Sequence, residues 1–204
     1  MIQEMIYDTE ESIKFFSSAK KPDRERSVCA AFLRSLKIKF NANDLQSIDD
    51  DPPDVIFGKA RFEVKEYLDD DRRRHDEFKQ RLKQLRQAQK LSDLLQPYRP
   101  FNITMRDVSE RITSFLEEYA KSYGMTHCSS LDVLVYFNLI DCHIVDDNAK
   151  PDNSRILKQG WRSVSIITNS FAYIFIAQDS APEFLIANSG MIKKAPVISG
   201  LFDI

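Results

Sequence analysis

The stretch Pro52 to Glu66, PPDVIFGKARFEVKE, constrains this chain more than any other. Two short alternating runs flank Gly58-Lys59, and glycine at the first turn position suits a type II′ two-residue hairpin. A two-residue loop fixes the register: Phe57 faces Ala60, Ile56 faces Arg61, Val55 faces Phe62 and Asp54 faces Glu63. Side chains alternate between the two faces of a strand. One face then carries Val55, Phe57, Ala60, Phe62 and Val64, all apolar. The other carries Asp54, Glu63 and Lys65, with Ile56 and Arg61. Opposed residues have Cβ atoms about 4.5–5.5 Å apart, and like charges directly opposite destabilise a sheet. A divalent cation between the two carboxylates is the simplest reason to tolerate the pairing. The reading depends on loop parity, because a loop one residue longer would put Asp54 opposite Val64.

The 204 residues suffice for one large or two small domains. With 43% hydrophobic and 29% charged residues, the chain is globular in character. A net charge of −2 excludes a generic polyanion binder, so any nucleic-acid surface must be local. The three cysteines include no CxxC, which points to a reducing compartment rather than a disulfide scaffold. The pairs His127-Cys128 and Cys142-His143 lack zinc-ligand spacing and read as structural residues. Met1-Ile2-Gln3-Glu4 does not open a signal peptide. The longest apolar run, Val133 to Ile140, contains Asn138 and is too short to span a bilayer. The expectation is a cytoplasmic protein with no membrane partner.

Upstream of the hairpin, Asp8-Thr9-Glu10-Glu11 reads as the start of a short helix ending near Ser18 to Lys21. A second helix is expected from Asp23 to Leu36 behind Pro22, with Val28, Ala31, Phe32 and Leu36 as its buried stripe. Glu25 lies one turn before Val28 on that stripe. It is either a solvated first-turn acid or a carboxylate aimed at a site. Leu36 to Phe40 alternates like a strand, and a short strand is expected around Leu45 to Ile48.

After the hairpin, Asp69-Asp70-Asp71 can cap a helix running to about Leu95. Phe78, Leu82, Leu85, Ala88, Leu91 and Leu95 would form its apolar face. Lys79, Lys83, Arg86 and Lys90 form a second stripe about 100° round the helix. From Arg72 to Lys90 there are eight Lys or Arg against two acids, a net of +6 that leaves −8 for the rest. Such a stripe is usually a solvated flank, but a chelated polyanion needs positive charge close to its acidic site. Pro97 and Pro100 break the chain. Thr104-x-x-Asp107 opens a further helix as a capping box, with Val108, Ile112, Phe115, Leu116 and Tyr119 inward and Gly124 as its stop. From Leu131 the pattern turns to strands. Val133 to Ile140 reads as a strand buried on both faces, and Asp146 to Gly160 as a polar loop. Val164 to Thr168 and Phe171 to Ala177 form a second hairpin around Asn169-Ser170, and Phe184 to Ala187 reads as another strand. Strands on both sides of the central helices argue for one mixed α/β domain over residues 1–204.

Helix, strand, acid-bearing hairpin, helix, strand is the order of the PD-(D/E)XK nuclease superfamily, which this chain resembles. Pro53-Asp54 matches the PD element and Glu63-Val64-Lys65 the (D/E)XK element, with eight residues between the acids. Glu25 matches the acid often carried on the preceding helix. The resemblance implies a mixed central sheet flanked by helices, a restriction-endonuclease-like core over about 22–140 with extra C-terminal strands over about 141–204. More loosely, the whole chain resembles a small bacterial family described as "putative endonucleases". The plain alternative is that Asp54 caps a turn while Glu63 and Lys65 line the wet face of an amphipathic strand.

On this resemblance Asp54 and Glu63 hold Mg²⁺ or Mn²⁺, Lys65 assists water attack on a phosphodiester, and Glu25 adds a further carboxylate. Carboxylates close to Lys65 oppose the lowered pKa a lysine base needs, so orientation and electrostatics suit it better. Arg72, Arg73, Arg74, Lys79, Lys83, Arg86 and Lys90 would contact backbone phosphates without reading sequence. The expected partner is nucleic acid, DNA before RNA. Two further classes stand beside the nuclease. One is a non-catalytic nucleic-acid- or protein-binding module on a nuclease-like fold. The other is a homodimer built through the C-terminal strands.

Overall fold

The computed structural model describes residues 1–49, 52–70, 72–95, 97–145 and 150–195. A seven-stranded mixed sheet organises it, in the order β1-β2-β3-β5-β7-β8-β9. The strands are β1 (Gln46–Ser47), β2 (Val55–Phe57), β3 (Ala60–Leu68), β5 (Asp132–Asn138), β7 (Ser163–Ile167), β8 (Phe171–Ala177) and β9 (Lys193–Lys194). β3, β5 and β7 run parallel at the centre, and antiparallel strands close both sides. A separate parallel pair joins β4 (Phe101–Thr104) to β6 (Cys142–Val145). The helices are α1 (Ile2–Phe15), α2 (Lys21–Ser35), α3 (Arg74–Gln87), α4 (Met105–Cys128), α5 (Ser154–Lys158) and α6 (Glu183–Asn188). None of the described helices is long and apolar enough to cross a membrane.

Alternation along β5 explains its central place. Leu134 and Tyr136 join Phe32, Leu33, Val55, Phe62 and Ile174 in one apolar cluster under α2. Val133, Val135 and Phe137 join Val108, Ile112, Leu116, Trp161 and Ile166 in a second cluster under α4. A strand apolar on both faces belongs between two helical layers. β7 and β8 supply core residues to both clusters, so the C-terminal strands continue the same sheet.

The first hairpin adopts the expected register over three pairs, while the fourth expected pair, Asp54 with Glu63, lies beyond the end of the ladder. Phe57 pairs with Ala60, Ile56 with Arg61 and Val55 with Phe62. Gly58 has φ 55°, the left-handed value that a first turn position requires here. The second hairpin and the short strand at Gln46–Ser47 also form. On α2 the stripe Val28, Ala31, Phe32 and Leu36 is buried. Asp107 and Thr104 make the reciprocal capping bonds at the start of α4. That helix breaks at Gly124, where φ is 71°, before a last turn to Cys128.

Several expectations fail for physical reasons. The first helix begins at Ile2, six residues ahead of the acidic start signal. Leu36 to Phe40 is not a strand. Lys37 turns left-handed at φ 59° to end α2, and Ile38 and Phe40 then pack on the core without pairing to a strand. The basic helix stops at Gln87, so Leu91 and Leu95 are exposed and Leu94 is buried in their place. Arg73 sits at its N-cap without a side-chain cap. Asp69 instead accepts the Ile140 N–H, and Asp71 lies outside the described residues. Phe184 to Ala187 is helical, within α6. The loop from Asp146 falls partly outside the described residues, and its later part forms α5. β4 and β6 were not expected: four residues each, behind Pro100 and Asp141, they carry too short a pattern to read.

Candidate active site

Asp54, Glu63 and Lys65 come together at the open end of the first hairpin. β2 begins at Val55, and Asp54 stands just ahead of it. There its Oδ2 accepts the Val64 backbone N–H at 2.9 Å, standing in for a strand carbonyl on β3. Its other oxygen, Oδ1, accepts from Lys21 Nζ at 3.0 Å. Lys21 Nζ also lies 3.0 Å from Glu25 Oε1, one turn along α2. A single ammonium thus bridges two buried carboxylates that come from separate elements.

Glu63 is fully buried on the α4 side of β3. Its Oε1 accepts the Tyr123 hydroxyl at 2.7 Å and the Lys65 ammonium. Its Oε2 is buried and has no hydrogen-bond partner among the described residues. An ionised oxygen in that state is costly unless something positive or hydrogen-donating meets it. Lys65 Nζ sits over two rings of α4, 5.0 Å from the centre of Tyr119 and 5.9 Å from that of Tyr123.

The titration of these groups reflects crowding of charge in a dry place. Burial, followed by the charge of Asp54, pushes Glu25 up to about 7, against the pull of Lys21. Burial also raises Glu63, with Asp54 adding to it and Lys65 opposing. Lys65 is pulled down by burial, but its hydrogen bond and charge pairing with Glu63 leave it above the ordinary lysine range. Burial and the bond to Glu63 raise Tyr123 to about 12. Lys65 is therefore held as an ammonium, able to orient and to offset charge but not to take up a proton.

The carboxylates suit a hard divalent cation. Among the described residues no group of three or more His, Cys, Asp or Glu side chains makes a ready cage. Mg²⁺ does not need one, since it is commonly bound through one or two carboxylates with water and substrate phosphate completing the shell. The orphaned Glu63 Oε2 and the cation bridge at Asp54 and Glu25 both mark places where positive charge is wanted.

The basic residues behave differently from one another. Arg72 binds Glu77 at 2.9 Å and the Asn138 carbonyl at 2.8 Å. Arg74 pairs with Glu66 at 2.9 Å and lies over the Phe16 ring. Arg86 meets Glu10 at 2.7 Å. Arg72 and Arg74 tie the fold together, while the Arg86–Glu10 pair is exposed. Arg73, Lys79, Lys83 and Lys90 are exposed. Cys29 and Cys128 are buried, while His143 meets the Tyr98 hydroxyl at 2.6 Å.

Lys21, Tyr119 and Tyr123 escaped the sequence reading. Their signals were weak: Lys21 stands four residues before Glu25, and Tyr119 and Tyr123 are four apart on one helix face. Neither spacing names a partner across the fold.

Among curated proteins none matches the chain. A solved structure from Pseudomonas aeruginosa strain PAO1 is similar over 98% of this chain and 96% of its own, with 29% identity and a TM-score of 0.68. It is described as a protein of unknown function of the Monooxygenase Superfamily. A family model matches residues 1–197. The chain belongs to that family, described as "Putative endonuclease, protein of unknown function (DUF1780)".

Proposed function

We propose that this protein is a divalent-metal-dependent nuclease of PD-(D/E)XK type, acting at the open end of the first hairpin. The observation that carries the reading is the meeting of buried Asp54 and Glu63 with half-buried Lys65 beside Glu25, with Glu63 Oε2 left without a partner among the described residues. The family description supports nucleic acid as the substrate class, and the resemblance of Pro53-Asp54 and Glu63-Val64-Lys65 supports phosphodiester hydrolysis as the chemistry. The neighbour's superfamily label applies to that protein. Here the assembled groups are carboxylates and ammonium ions, which suit hydrolysis at phosphorus.

Asp54 and Glu63 would hold Mg²⁺ or Mn²⁺, with Glu25 as a further carboxylate. The ion, when bound, acidifies a water and polarises the phosphoryl oxygens. Asp54 is fixed for this by the Val64 N–H, and Glu63 by Tyr123 and Lys65. Lys65, kept charged, orients the attacking water and offsets the negative charge that grows on the phosphoryl oxygens. Tyr119 and Tyr123 hold its ammonium in place through their ring faces. Lys21 offsets part of the charge of Glu25 and Asp54 when no metal is bound.

The test is cleavage of single- and double-stranded DNA and RNA with Mg²⁺ or Mn²⁺. Wild type should cleave at least one of them, and Asp54→Ala and Lys65→Ala should not. Wild type no more active than those variants on every substrate would end the nuclease reading and leave the binding module.

A further inference from the structure

We propose that the cleft on the outer side of α2 is a track for single-stranded nucleic acid leading to the Asp54–Glu63 site. The proposal rests on the nuclease reading and extends it to the form of the substrate. The cleft encloses about 670 Å³ between α2, the end of α1 and the segment 38–45. Its floor is apolar, from Ala30, Ile38 and Leu45. Its rim is basic, with Lys20, Arg26, Arg34 and Lys39 against one acid among the lining residues, Asp23.

Asp23 is already neutralised. Lys20 Nζ lies 2.9 Å from one of its oxygens, and Arg26 holds the other. Arg34 lies over the Phe40 ring, 5.6 Å from its centre, and Lys39 is exposed beside it. Neither pairs with a carboxylate among the described residues. The lining therefore carries +3 in a protein of net charge −2, and a phosphate backbone complements that excess.

Two half-buried aromatic rings, Phe15 and Phe40, also line the cleft. Cations beside aromatic faces are how single strands are gripped, since an unpaired base can stack on a ring or a guanidinium. A duplex keeps its base faces covered and is too stiff to fold into a cleft of this size. The cleft also abuts the site. Arg26 Nη1 donates to Ser47 Oγ at 2.7 Å, and Ser47 pairs with Val55, the chain neighbour of Asp54. On α2 itself, Asp23 and Arg26 face the cleft while Lys21 and Glu25 reach Asp54.

The experiment is fluorescence anisotropy in EDTA with the full chain carrying Asp54→Asn, so that nothing is cleaved. The probe is a labelled oligothymidylate of about 12 nucleotides, with the matching duplex and polyglutamate as competitors. The single strand should bind, and Arg34→Glu with Lys39→Glu should raise its Kd at least tenfold. The slope of log Kd against log salt should fall by about 0.7 for each cation removed. Arg34→Gln alone, a milder change at an exposed position, should give an intermediate Kd. Unchanged binding in these variants, equal binding of the duplex, or displacement by polyglutamate would each overturn the proposal. Failure here with metal-dependent cleavage intact removes only the track. Cleft-dependent binding with no metal-dependent cleavage removes only the nuclease reading.

Discussion

The Asp54 carboxylate accepts the backbone N–H of Val64 at 2.9 Å, so the first acid of the site is tied to the strand that carries the second. That tie holds only while the turn at Gly58-Lys59 keeps its length and hand. Gly58 has φ 55°, and a Cβ added there would meet nothing within 4 Å. The strain of a substitution is therefore backbone strain alone. Gly58→Ala should lower stability by about 1–2 kcal/mol, and Gly58→Asn by less, because asparagine tolerates the left-handed region. Equilibrium urea unfolding measures both. An alanine variant as stable as wild type would show that the turn can relax.

The hairpin was legible because its information is local: a two-residue turn and a period of two settle both register and face. β5 was legible because continuous apolarity over the five residues Val133 to Phe137 leaves few other places for it. Leu36 to Phe40 misled because an extended segment packed on a core alternates as a strand does, and alternation does not reveal whether a neighbour exists. Phe184 to Ala187 misled because four consecutive apolar residues show neither alternation nor a helical stripe. The candidate site's geometry was half legible. Asp54, Glu63 and Lys65 follow from hairpin geometry, but Lys21 reaches Asp54 across 33 residues and Tyr123 reaches Glu63 across 60. Contacts of that range depend on how helices dock on the sheet, which periodicity does not encode.

Removing Lys65 should expose the charge problem at Glu63. Lys65→Met keeps the apolar stem against Tyr119 and Tyr123 but leaves a buried carboxylate with the Tyr123 hydroxyl as its remaining donor among the described residues. Breaking a buried pair this way costs about 3–5 kcal/mol. The pH dependence has a definite sign. A carboxyl whose pKa is raised by folding destabilises the fold as it ionises, so the variant should lose stability as pH rises from about 4. Unfolding free energies at pH 5 and pH 8 check this. An equal loss at both would mean that packing, not charge, was removed.

Tyr123→Phe removes one hydroxyl and little else. The ring stays against Trp161, 5.9 Å away, while Glu63 Oε1 keeps Lys65 but loses its bond from oxygen. A hydrogen bond to a charged group contributes about 1.5–3 kcal/mol. The variant should lose stability of that order. If the nuclease reading holds, it should also lower kcat with KM little changed, because Tyr123 positions a ligand and does not bind substrate. A rise in KM at constant kcat would place Tyr123 in substrate binding instead.

Glu25 gives a second pH signature, in the metal-free protein. Burial and the charge of Asp54 raise it to about 7, from an ordinary value near 4.5. The folded state therefore holds a proton that the unfolded state releases between these values, and stability must fall as pH rises through that window. The shift corresponds to an upper bound on the order of 3 kcal/mol. Glu25→Gln should flatten the dependence of Tm on pH between about 4.5 and 7, since it cannot ionise. An identical slope in the variant would assign the effect to other groups, Glu63 first among them.

On the nuclease reading, Lys21 should compete with a divalent ion for the same two carboxylates. Its ammonium lies 3.0 Å from Asp54 Oδ1 and 3.0 Å from Glu25 Oε1, so a divalent ion bound at Asp54 must displace it or share the charge. Lys21→Met leaves Asp54 and Glu25 facing each other without a counter-charge. Without metal the variant should be less stable than wild type, and it should gain more from Mn²⁺. A tenfold tighter Kd appears as about 1.4 kcal/mol of extra stabilisation at saturating ion. Thermal unfolding over a Mn²⁺ series reads this without any substrate, with Asp54→Asn as the control that should abolish the gain. Equal Mn²⁺ stabilisation of wild type and Lys21→Met would mean that the ion binds away from this bridge, and that Lys21 serves the apo fold alone.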